Sequence, residues 1–215
     1  MTQENLQELF VDQICDIYDA EKQLVKALPK LAEAAESQDL AEALRMHLDE
    51  TEAQVSRIEE VFGMVSQQPK GKPCKAMKGL IDEGNEAAAE QEGEFRDLAI
   101  IAACQRVEHY EISAYGTAKA IAARLGLEDA VQLLEQTEDE ESEADSKLTE
   151  VAEMIYDSMD DEDTVTVADT DKGSSTAMAA REVAGAATSK NAPPKKAAAK
   201  AGPTKGSSQK RSGTR

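Results

Sequence analysis

Four stretches of roughly 30 residues place apolar side chains at three- and four-residue spacing, a period that commits a chain to long amphipathic α-helices. Along 4–36 the stripe is Leu6, Phe10, Ile14, Ile17, Leu24, Leu28 and Leu31. Along 39–62 it is Leu40, Leu44, Leu48, Val55, Ile58 and Phe62. The third stretch, 94–125, is marked by Leu98, Ile101, Gln105, Glu108, Ile112, Tyr115 and Ala122, and the fourth, 127–156, by Ala130, Leu133, Leu134, Leu148, Ala152 and Ile155. Punctuation agrees with these limits. Ser37 is placed to cap the second helix, Gly63 to end it and Gly126 to serve as the residue after the third. Pro29 inside the first predicts a kink about one turn earlier. The loop Gln68–Pro73 holds two prolines and a glycine, and a shorter helix is expected over 74–90 with Met77, Leu80 and Ile81 inward. Aromatic residues are 3% of the chain and Trp is absent, which argues against a β-sandwich or barrel. The expected class is all-α, a four-helix bundle with an extra short helix between the second and third long helices.

The stripes are not clean. Glu21 sits in the middle of the first, His47 and Thr51 interrupt the second, and Glu141 lies on the fourth. Residues three or four apart share a helix face, so His47 with Glu50, Glu108 with Glu111, and Glu141 with Asp145 each point two ligand groups one way. A shift of 90 residues superposes the halves: Glu21 falls on Glu111, Asp49-Glu50-Thr51 on Asp139-Glu140-Glu141, Leu44 on Leu134 and Ile58 on Leu148. In each half a Glu is followed 29 residues later by another, Glu21 by Glu50 and Glu111 by Glu140. Buried carboxylates are costly and repel one another, and a cation or a proton relieves both costs. Carboxylate-rich donors with one or two imidazoles, on four facing helices, suit a pair of Fe or Mn ions. The alternative is a solvated face: seven of the eleven residues in 135–145 are acidic, more than one helix can bury. His109 falls off the inner face.

DIYDAEKQLVKALPKLA, MHLDETEAQVSRIEEVF, AMKGLIDEGNE, VEHYEISAYGTAKAIAARLG and LLEQTEDEESEADSKLTEVA, in this order, resemble the YciE/YciF-type ferritin-like proteins of bacteria over about 4–156. The resemblance implies a ferritin-like bundle with a long second-to-third crossover, and association with general, osmotic or envelope stress. With Glu21 and Glu141 in the apolar stripes and the repeat, the leading expectation is a di-iron site, or one holding Mn or Zn, that binds or oxidises Fe(II) with O₂ or peroxide. Ferritin-like sites take one Glu from each of two helices and Glu-x-x-His from each of the others. Glu21 and Glu111 (or Glu108) match the single-Glu roles, with Glu50 and Glu140 or Glu141 as the bridging carboxylates. Neither Glu50 nor Glu140 has a His three residues on; His47 precedes Glu50 instead, and Asp145 follows Glu141. The site is then carboxylate-rich with His47 as nitrogen donor, or holds one weak metal, or none. No organic cofactor is implied.

The net charge of −19 is a sum of two objects: residues 183–215 carry eight basic side chains and no acid, leaving 1–182 at −27. Low in apolar residues, 183–215 reads as a disordered Lys/Ala/Pro-rich tail, joined to a bundle at 1–158 by an acidic and polar linker at 159–182. Lys195, Lys196, Lys200, Lys205, Lys210 and Arg211 are the candidates for weak contact with DNA phosphates; a solubilising tail, or one docking on acidic neighbours, is the alternative. A non-catalytic interaction protein built on these two parts is the competing function. The longest apolar run, Leu98–Cys104, is too short to span a bilayer. The polar N-terminus has no signal-peptide pattern, and three cysteines without paired spacing read as reduced thiols. The expectation is a cytoplasmic protein. Its long amphipathic helices suit a homodimer or higher homo-oligomer.

Overall fold

The computed structural model describes residues 2–168, with side chains through residue 159. Five α-helices follow in order: α1 Gln3–Ala34, α2 Gln38–Met64, α3 Lys75–Glu90, α4 Gly93–Leu125 and α5 Glu128–Ala168. No strand occurs among the described residues. Ser37 caps α2, its hydroxyl accepting from the Leu40 amide. Gly126, at φ 73°, closes α4 in the left-handed conformation that glycine adopts without a Cβ penalty. Two limits differ from the periodic pattern. α2 passes Gly63, expected to end it, and stops at Met64, and α5 continues to Ala168 rather than stopping near Tyr156. The first ten residues of the expected linker therefore extend the last helix; its remainder and the basic tail, with Lys195 to Arg211, lie outside the described residues.

α1 packs on α2, α2 on α5, α5 on α4 and α4 back on α1, closing a ring of four long helices. α3, carried by the crossover from α2 to α4, lies outside the ring against α1 and α4. Its close approach to α4 uses Gly84, where an added Cβ would stand 3.3 Å from that of Ala103. This third neighbour widens the buried arc of α4. Ile100, Cys104, Val107 and Glu111 are buried there, while Leu98, Gln105 and Ile112, expected inside, are half-buried.

The apolar interior is two clusters rather than one. Phe10, Ile14, Ile58, Phe62, Tyr115 and Leu134 fill one end; Leu24, Leu28, Leu44, Ile100, Leu148 and Val151 fill the other. Each fully buried aliphatic side chain contributes about 1.5–3 kcal/mol through removal from water. Between the clusters, every long helix puts polar side chains inward: Glu21 from α1, His47, Thr51 and Gln54 from α2, Glu108 and Glu111 from α4, and Thr137 and Glu141 from α5. The breaks in the four stripes are thus one polar layer across the bundle.

Candidate metal centre

Helical geometry builds the layer. Glu108 and Glu111, three residues apart, project from one face of α4, and the ring brings α1, α2 and α5 to that face. One ligand atom from each of His47, Glu108, Glu111 and Glu141 lies within 4.8 Å of the others. His47 spans from surface to centre: its Nδ1 is 3.4 Å from Glu50 Oε2, and its Nε2 is 3.4 Å from Glu108 Oε2 and 3.8 Å from Glu141 Oε2. The Thr51 hydroxyl donates to the His47 carbonyl at 2.7 Å, bonding within the helix rather than into the site. Glu21, fully buried, adjoins this group, and the Tyr115 hydroxyl donates to its Oε1.

The electrostatics are those of acids crowded away from water. Burial, then the charges of Glu21, Glu141 and Glu108, push Glu111 well above the carboxylate range. Burial also pushes Glu141 well up although His47 opposes it, and it raises Glu108. Glu21 rises to about 7 through burial, offset in part by the Tyr115 hydrogen bond and by His47. For His47, burial disfavours the imidazolium, but Glu108 foremost, then Glu50, Glu141 and Glu21, outweigh it and lift the group to about 10. The site is short of positive charge and retains protons in its place.

Glu21 Oε2, His47 Nε2, Glu108 Oε2 and both carboxylate oxygens of Glu111 and Glu141 are buried without a hydrogen-bond partner. Buried polar atoms in folded proteins are nearly always partnered, so this concentration of orphaned donors in one place fits a cation. Four carboxylates balance two divalent ions when the imidazole is neutral, as a metal ligand must be. Oxygen donors with one imidazole are the chemistry of Fe and Mn, and tolerate Zn.

Of the eight expected ligands, the fold gathers Glu21, His47, Glu108, Glu111 and Glu141. It sends three elsewhere. Glu50 is half exposed and meets only the outer nitrogen of His47. Glu140, expected as a bridge, is held by Arg57 in a bidentate pair, Nη1 to Oε2 at 2.8 Å and Nη2 to Oε1 at 3.0 Å, with Gln54 and Gln136 adding bonds. Despite partial burial, these partners hold its pKa below the usual range. Asp145 lies at the edge, its Oδ1 3.7 Å from the exposed His109. For Glu50 and Glu140 the reason is angular: one residue turns an α-helix by about 100°, so positions 51 and 141, not 50 and 140, face the layer. The halves consequently differ, because position 51 is Thr and 141 is Glu; α2 supplies an imidazole one turn earlier and α4 a second carboxylate.

Sequence reasoning missed Tyr115 as the partner of Glu21 and Arg57 as the group that withdraws Glu140. The Tyr115 signal was its four-residue spacing from Glu111. Arg57 had none, since its partner is on another helix. A second polar group escaped notice too: the Tyr110 hydroxyl donates to Asp16 at 2.7 Å and lies 3.0 Å from Cys74 Sγ, joining α1, α4 and the start of α3.

Comparison with known proteins places this architecture. Residues 5–159 match the family model described as a domain of unknown function, DUF892. YciF of Escherichia coli K12 is 44% identical over 154 residues, 71% of this chain and 93% of that protein. The crystal structure of the E. coli stress protein YciF superposes with a TM-score of 0.69 at 42% identity, covering 71% of this chain and 97% of that one. YcfI from Rhodopseudomonas palustris superposes at 0.65 with 43% identity, covering 67% and 92%.

Proposed function

The chain belongs to the DUF892 family, with YciF among its relatives, and from that membership and the buried layer we propose that it binds a pair of divalent transition-metal ions, iron foremost, between its four long helices. The observation that carries this is the set of orphaned donor atoms on Glu21, His47, Glu108, Glu111 and Glu141. Bound Fe(II) supplies electrons for the reduction of dioxygen or peroxide. The chain's own residues do the rest. Glu111 and Glu141 offer two oxygens each from facing helices, His47 offers Nε2, and Tyr115 orients Glu21 through its hydroxyl. The two apolar clusters above and below exclude water and hold the ligands on rigid helices.

The E. coli relative is a stress protein, and the same setting is proposed for this chain. Three unpaired cysteines support a reducing, cytoplasmic compartment. No helix among the described residues is long and apolar enough to cross a membrane. Exposed Phe95 and Tyr156 support self-association. In a second reading, favoured by eight basic residues without an acid in 183–215, the tail holds the bundle near nucleic acid.

Elemental analysis of untagged protein tests the metal assignment. Iron, manganese or zinc is expected at up to about two ions per chain. After chelation, Fe(II) or Mn(II) at a hundredfold over Kd should stabilise the fold by about 2.7 kcal/mol, which is about 5–10 °C in melting temperature for a chain of this size. Glu21→Ala with Glu141→Ala should abolish that shift. Metal-free purified protein whose melting ignores both ions and both substitutions overturns the assignment.

A further inference from the structure

Resting on the metal reading, we propose that the cleft between α2 and α5 is the port through which hydrated divalent cations reach the buried layer. A cavity of about 240 Å³ opens there, and its inner end is formed by His47 and Glu108. Both side chains are more than nine-tenths buried, and both present an unpartnered atom, Nε2 and Oε2. Leu44, Met46 and Leu148 form apolar walls, and His47 and Glu108 are the candidate ligands among the lining residues.

Its size and charge suit a hydrated ion. One water needs about 10–15 Å³, so the volume accommodates a cation with its shell. Small side chains, Ala43 and Ala144, keep the passage wide. At the rim stand the exposed carboxylates of Glu50 and Glu143. The one rim cation, Lys147, is engaged by Glu150 at 3.2 Å. Acidic walls in a cleft concentrate cations and raise association rates by about 10–10³-fold. Glu50 is 3.4 Å from the outer nitrogen of His47, whose inner nitrogen faces Glu108 and Glu141. The imidazole is the threshold between rim and centre, and Glu50, displaced from the ligand set by its helical angle, serves outside it.

The opposite side is closed. α3 covers α1 and α4 there, and the gap beneath it that touches Glu108 is lined by Leu24, Leu80, Ile81 and Val107 and measures about 10 Å³. That is at most one water, without polar walls to carry an ion.

Stopped-flow uptake of Co(II) by the chelated, full-length protein tests the port, with the ion's visible absorption as signal. Ala144→Phe, which narrows the passage and removes no ligand group, should slow uptake about tenfold or more while the amount finally bound stays the same. Glu50→Gln with Glu143→Gln, both at the surface and safe for folding, should slow it about tenfold at low salt, and the difference should vanish near 1 M salt, where the screening length is about 3 Å. Uptake at the wild-type rate in the surface double variant at low salt overturns the port, as does unchanged uptake by folded Ala144→Phe protein. Wild-type protein that binds no Co(II) at equilibrium instead removes the metal reading on which the port rests.

Discussion

The carboxylates of this bundle are set apart by single-residue offsets. Glu140 and Glu141 are chain neighbours, yet Arg57 holds one ionised while burial drives the other toward its protonated form. A consequence for pH follows with a definite sign. Glu21 holds its proton to about 7 in the folded protein against an ordinary 4.5, and His47 to about 10 against 6.5. Between each pair of values the folded chain binds more protons than the unfolded one, so stability falls as pH rises. Chelated protein should resist urea better near pH 4.5 than at pH 9, where it has lost on the order of a few kcal/mol. Saturating metal should reverse part of the trend, because its binding releases those protons. Urea midpoints that rise with pH in chelated protein would contradict this account.

At the scale of elements, the ring is tied by side chains that reach from one helix to the next turn. Asp97 on α4 is buried and accepts from the Glu36 and Ser37 amides, at 2.8 and 2.6 Å, where the chain turns from α1 into α2. These backbone donors have no partner in either helix, and hydrogen bonds to a charged group are worth about 1.5–3 kcal/mol each. Asp97→Ala is expected to cost about 3 kcal/mol in urea unfolding while leaving metal stoichiometry intact, since Asp97 belongs to the far end of the bundle. A loss below about 0.5 kcal/mol, the range of ordinary surface substitutions, would show the turn to be held by other contacts. α3 acts differently: by covering α1 and α4 it seals one side of the polar layer and leaves the α2–α5 side to the cleft.

For the whole molecule, the charge of −19 divides into a body whose inner acids a pair of cations would neutralise and a tail of opposite sign. The YciF crystal structure matches this chain over 97% of its own length but only 71% of ours. The family match ends at residue 159, so the basic stretch 183–215 lies outside it. If it holds DNA, full-length protein should retard duplex DNA at low salt, with affinity falling steeply as salt rises, and a chain truncated after residue 182 should not. Equal retardation by both chains would assign the binding to the body, and none by either would leave the tail a solubilising one.

The helices and their caps could be read along the chain because the three-four period and residues such as Ser37 and Gly126 act within one or two turns. Glu21, Glu108 and Glu141 were legible for the same reason, as polar positions aligned with an apolar stripe, and Glu111 through the 90-residue shift that lays Glu21 on it. What came only from the folded arrangement was the choice among neighbours. Whether Glu140 or Glu141 turns inward depends on Arg57, on α2, and on the angle at which α2 and α5 meet. The joining of four separate interruptions into one layer depends on the ring order, and the open cleft on where the crossover helix lies. Local pattern tells which face of a helix is buried; the neighbours that bury it set the partner, the charge and the path to solvent.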